Sequence, residues 1–123
     1  MRIEKFEDLD CWQQARVLVR LIYSGMGHCK DFGFKDQIQR AAVSVMSNIA
    51  EGFERGSNRD FINFLTISRA SLSEVKSLNY VALDVGYFDP KNFQLVDSHC
   101  SRLTNLLNGF IRFLRTKQKP PIA

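Results

Sequence analysis

Between Met1 and Asp89 the chain contains no proline, and six of its seven glycines fall into three groups: Gly25, Gly27 and Gly33, then Gly52 and Gly56, then Gly86. Proline appears only at Pro90, Pro120 and Pro121. Glycine and proline are the strongest local breakers of regular structure, so these groups cut the chain into four uninterrupted segments. Each segment repeats its apolar residues every three to four positions, as an amphipathic helix does, and none alternates with the period of a strand.

The first segment runs from about Asp8 to Ser24, with Leu9, Trp12, Ala15, Leu18, Val19, Ile22 and Tyr23 on one half of the wheel. The second runs from about Lys35 to Glu51; Ile38, Ala41, Ala42, Val45 and Ile49 share a face, and Gly52 reads as the residue just past the helix end. Its small residues (Ala41, Ala42, Ser44, Ser47) allow a neighbouring helix close approach. Ser57-Asn58-Arg59-Asp60 opens the third segment as a capping-box variant, with Asp in place of the usual Glu. This segment presents Phe61, Phe64, Leu65, Leu72, Val75, Ala82 and Leu83 and stops at Gly86. Asp89-Pro90, an N-cap followed by proline at the first helical position, opens the fourth, which continues to about Thr116.

Four helices joined by short loops imply an all-α fold, an antiparallel up-down-up-down four-helix bundle over residues 1–116, followed by a basic, flexible tail over 117–123. A chain of 123 residues is the size of one domain. Such a chain buries enough surface to be stable without metal or disulfide.

The fourth segment sharpens this expectation. Phe93, Val96, Cys100, Leu103, Leu107, Phe110, Ile111 and Leu114 fill a 100° arc, the width a bundle core requires. Leu95, Leu106 and Phe113 form a second row outside it. Ile67, Leu78 and Val85 do the same on the third helix, and Val17 and Leu21 on the first. A monomer has no use for so many second rows, and apolar patches of this kind mark interaction surfaces. Self-association into a homo-oligomer, with these eight residues at its interface, is the expectation.

The net charge of +4 is unevenly spread. Residues 1–89 hold 11 Lys/Arg and 12 Asp/Glu, whereas residues 90–123 hold six Lys/Arg and one acid, Asp97. Arg16 and Arg20 lie one turn apart on the polar edge of the first helix. If that helix runs level with the C-terminal half of the fourth, Arg16, Arg20, Arg112 and Arg115, followed by Lys117 and Lys119, collect on one lateral surface. Such a surface attracts phosphate backbone without reading sequence. Neither an RRM aromatic motif nor a KH loop is present, so base-specific recognition is not expected.

The inventory for catalysis is thin. GxSxG, Walker and HExxH elements are absent. Glu51 and Glu54 stand beside Arg55 and Arg59, where ion pairing explains them better than acid–base work. His28-Cys29 and His99-Cys100 lack the two- to five-residue ligand spacing of structural zinc sites, and Cys100 lies in a core stripe. Cys11, Cys29 and Cys100 are an odd set without CxxC spacing, unlike a secreted disulfide framework. Asn79 falls at the centre of the third core stripe and Asn48 at the edge of the second, where Arg55 or Asn63 could satisfy it. The expected protein has no enzymatic activity, cofactor, metal or membrane span, and is cytoplasmic.

Three stretches in order carry a resemblance to a known family. Phe6-Glu7-Asp8-Leu9-Asp10-Cys11-Trp12-Gln13-Gln14-Ala15 fits an F-x-D-L-x-x-W-x-x-A opening. Gln37-Ile38-Gln39-Arg40-Ala41-Ala42-Val43-Ser44 is followed by Asn48-Ile49-Ala50-Glu51-Gly52 and Arg55. Phe61-x-x-Phe64-Leu65-x-Ile67-Ser68-Arg69-Ala70-Ser71-Leu72-x-Glu74 completes the set. Over nearly its whole length the chain resembles the small four-helix proteins encoded by intervening sequences of bacterial 23S ribosomal RNA genes. It departs from them at Cys29-Lys30-Asp31-Phe32-Gly33-Phe34, where the family commonly has a Phe-Pro pair and a Glu. The family is similar in fold to the accessory variability determinant protein of diversity-generating retroelements, a pentameric barrel that binds a reverse transcriptase and nucleic acid. The resemblance therefore implies a ring-like homo-pentamer of four-helix bundles. Two functions follow as expectations: an oligomer that binds RNA or DNA backbone through its basic surface, or a scaffold for a protein partner such as a polymerase.

Overall fold

The computed structural model describes residues 3–117. Four helices follow one another: α1 (Asp10–Gly25), α2 (Phe32–Glu54), α3 (Asn58–Asp84) and α4 (Pro90–Thr116), with a single 3₁₀ turn at Phe6–Asp8 before α1. No strand occurs among the described residues, and none of the described helices is long and apolar enough to cross a membrane.

Local chemistry sets most of the helix ends. Ser57 Oγ accepts from the Asp60 N–H at 3.1 Å and starts α3; Asp89 Oδ1 accepts from the Asn92 N–H at 2.7 Å, with Pro90 in the first turn, and starts α4. Gly86 takes φ +84° just past α3, a conformation that favours glycine. α1 begins at Asp10, after the 3₁₀ turn that holds Asp8, and both ends of α2 differ more from the sequence expectation. α2 begins three residues early, because Asp31 caps it through the Phe34 N–H. It also runs through Gly52 to Glu54, so Gly52 is not the terminating residue. A Cβ at Gly52 would lie 2.6 Å from Phe64 Cβ and 3.0 Å from the Phe61 ring. Glycine is there to let α2 and α3 close together, which sequence spacing alone does not distinguish from a helix stop.

Each helix packs on two others: α1 on α2 and α4, and α3 on α2 and α4. Ala15, Leu18, Ile22, Ile38, Val45, Ile49, Leu65, Leu72, Val75, Leu103, Leu107 and Ile111 meet in one continuous core. Each such Leu or Ile contributes about 1.5–3 kcal/mol relative to an exposed side chain. Tyr23, placed inward by its wheel position, is instead exposed, while Phe64 and Leu83 are half-buried.

Hydrogen bonds between helices fix their register. Ser68 Oγ donates to Val45 O at 2.7 Å, and the Ser44 and Ser71 hydroxyls meet at 2.9 Å. Arg69 Nη1 donates to Asn108 Oδ1 at 2.8 Å, and Lys76 Nζ to Ser101 Oγ at 3.3 Å. Along the α3/α4 seam, positions rise on one helix as they fall on the other.

Candidate functional site

The anticipated lateral cluster of arginines does not form. His99 Nε2 lies 2.8 Å from Gln14 O, and Gly25 lies against Phe88, so α1 from Gln14 to its end sits beside the first half of α4. Arg16 and Arg20 are therefore level with the region around residues 93–97. At 1.5 Å per residue, Arg112 is about 23–29 Å further along. The two groups also face differently. Arg16 and Arg20 point outward on the α2 side of α1, the guanidinium of Arg16 lying 5.9 Å from the Trp12 ring centroid. Arg112 and Arg115 are exposed on the α3 side of α4. Lys117 lies over the Phe113 ring at 5.3 Å, and Lys119 is outside the described residues.

A different basic surface takes the place of the expected one. Arg69 and Lys76, seven residues apart on α3, lean across the seam to Asn108 and Ser101 of α4. Arg112 and Arg115 continue the row one and two turns beyond Asn108. The four cations span about 20 Å of seam. α4 has no acidic residue from Ser98 to Thr116, and the α3 positions facing it (Thr66, Arg69, Ser73, Lys76, Tyr80) have none either. Both cross-seam partners are uncharged, and neither Arg69 nor Lys76 forms an ion pair among the described residues; Asp97 lies one turn before Ser101, at the end of the row. The ion pairs formed among the described residues, Arg40–Asp36 and Arg55–Glu51, both lie on α2 and its end. Sequence reasoning missed Arg69 and Lys76; the signal available was their seven-residue spacing beside a core stripe.

Asp97 ends the acid-free stretch, and its Oδ1 is buried without a partner among the described residues. Asn79 is fully buried, donates through Nδ2 to Phe93 O at 3.0 Å and leaves its own Oδ1 unpaired. Asn48 donates to Ser44 O at 2.8 Å, so neither Arg55 nor Asn63 is its partner.

The histidine–cysteine pairs are dispersed. Cys100 is buried in the core, His99 is committed to the Gln14 carbonyl, and Cys29 Sγ faces the Asp31 carbonyl. No group of three metal-ligating side chains assembles among the described residues. Burial pushes the Cys11 and Cys100 thiols up to about 12, which suppresses the reactive thiolate.

The second apolar rows occupy two opposite sides of the molecule. On α4, Leu95 (53% exposed) and Phe113 (54%) flank the α1 seam; Leu95 shares a cleft with Leu21, and Leu106 shares one with Leu9 and Cys11. Val17 is exposed on the same side. On α3, Ile67 (49%) and Val85 (56%) are exposed beside the α2 seam. Leu21, Leu78 and Leu106 are half-buried and pack partly against the core.

Residues 7–109 match the family described as 23S rRNA-intervening sequence protein. The chain belongs to this family. No curated protein matches it. Among solved structures, it is similar to a protein of unknown function from the S23 ribosomal protein family of Bacteroides thetaiotaomicron VPI-5482, with 24% identity and a TM-score of 0.72. That likeness covers 82% of this chain and 94% of the other, and what it establishes is the fold. In this intervening-sequence family protein, the row of cations along the α3–α4 seam faces no carboxylate of α4 beyond Asp97.

Proposed function

We propose that this intervening-sequence family protein is a non-enzymatic, self-associating protein that binds the RNA or DNA backbone. In this reading its four helices alternate up, down, up, down, and Arg69, Lys76, Arg112 and Arg115 contact phosphates. The observation that carries it is the seam itself: four cations, uncharged hydrogen-bond partners and no carboxylate over about 20 Å, the axial length of roughly six phosphates of one strand. Self-association draws support from the two exposed apolar rows, and a pentamer is the assembly implied by resemblance. Repeating the seam in every copy multiplies the field and the avidity.

Fluorescence anisotropy of a labelled uridine homopolymer across 50–200 mM salt tests the proposal. Four phosphate contacts on a single strand predict a slope of log K against log salt of about −3. Arg112→Glu with Arg115→Glu should weaken binding and flatten that slope, whereas Arg16→Glu with Arg20→Glu should leave both close to the parent. Loss of binding from the α1 pair and none from the α4 pair would overturn the assignment of the seam.

A further inference from the structure

The two apolar rows carry a matched pair of charges. On the outer side of α3, Ile67, Glu74 and Val81 recur every seven residues; on the outer side of α4, Leu95, Arg102 and Gly109 do the same. A seven-residue step returns to nearly the same helix face, so each triplet is a stripe with one charge at its centre. All but Gly109, which is half-buried, are exposed. Glu74 and Arg102 have opposite signs and lie on opposite sides of the molecule, so they cannot meet within one chain. Glu74 accepts a 3.5 Å hydrogen bond from Gln37, at the limit of such contacts, and Arg102 forms no ion pair among the described residues.

Gly109 adds an independent observation. Glycine disfavours a helix interior, yet nothing in the chain requires it at this position. A Cβ there would meet only the Arg112 guanidinium, at 4.0 Å. The space that glycine leaves open faces outward, on the same stripe as Leu95 and Arg102.

We infer that copies of this chain join head to tail, α4 of one copy lying on α3 of the next, with Arg102 paired to the second copy's Glu74. Laid together in either direction, the stripes bring the two charges into register and set a branched apolar side chain, Ile67 or Val81, over Gly109. Phe113 and Val85 extend the contact on their own helices. Two different patches on opposite sides make a heterologous contact, which closes into a ring or continues as a filament and does not stop at a two-fold dimer. The inference rests on the self-association proposed above and specifies where it occurs.

Sedimentation velocity on the full chain at one fixed concentration tests it, with circular dichroism to verify that each variant is folded. Arg102→Glu and Glu74→Arg should each lower the assembled fraction at least tenfold, by placing like charges face to face. The double variant Arg102→Glu/Glu74→Arg should recover assembly. A parent that assembles while both single variants assemble equally well overturns the Arg102–Glu74 contact and leaves self-association standing. Single variants that dissociate without recovery in the double variant also overturn the pairing. A parent that is monomeric throughout overturns self-association and the contact together.

Discussion

Gly52 illustrates how one position can be seen in a sequence and misread. A glycine after Asn48-Ile49-Ala50-Glu51 looks like a helix terminator, and helix ends do favour glycine. In the fold, α2 continues for two more residues, and Gly52 is where Phe61 and Phe64 press on its backbone. Gly52→Ala should therefore cost about 2 kcal/mol, since the added methyl has no room and the neighbours across it are a backbone-proximal Cβ and a packed ring. Urea unfolding checks this; unchanged or increased stability would show that α2 and α3 can separate freely there. By contrast, Asp89-Pro90 and Ser57-Asn58-Arg59-Asp60 were legible, because capping depends on residues within one turn of each other. Arg69 and Lys76 were not legible as a site, since their importance comes from facing Asn108 and Ser101 on another helix.

At the scale of elements, the four helices could be read from glycine, proline and apolar periodicity, but their mutual level could not be read from periodicity. The expected grouping of Arg16 and Arg20 with Arg112 and Arg115 fails because α1 is much shorter than α4. With Gln14 beside His99 and Gly25 against Phe88, the arginines of α1 stop well short of Arg112. A contact between loops ties the opposite pole. The Tyr87 hydroxyl donates to Asp31 Oδ2 at 2.6 Å, linking the α1–α2 loop to the α3–α4 loop, while Asp31 also caps α2. The Tyr87 hydrogen bond, aided by the Phe34 N–H, holds the Asp31 carboxyl below its ordinary value. The same bond raises the Tyr87 phenol above its own. By linkage, the Asp31 contribution is present above the unfolded carboxylate value and disappears as pH falls through the lowered folded one. The Tyr87 contribution is present below the ordinary phenol value and disappears as pH rises through the raised one. Tyr87→Phe should move the Asp31 titration midpoint upward, with a residual depression from the Phe34 N–H. A carboxyl-detected NMR titration measures it, and an unmoved midpoint would mean that the contact is absent in solution.

For the whole molecule, assembly decides what the surface can do. A single copy offers four seam cations, a modest electrostatic footprint, whereas several copies in a closed ring repeat that footprint at fixed spacing. The apolar rows that point to assembly were visible from wheel geometry alone, as residues left over once each core stripe was filled. Their division between opposite sides of the molecule became evident only when α1 was found beside α4 and α2 beside α3. On the contact inferred above, opposite patches would build a ring or a filament and not a two-fold dimer, and the proposed pairing of Arg102 with Glu74 would set that shape. The most direct test of the account is the molar mass of the full chain by light scattering during size-exclusion chromatography at near-physiological salt. With a chain mass of 14.2 kDa, the account predicts a species of at least three chains, five if the ring follows the resemblance. A mass of one chain, or a species that stops at two, would contradict it.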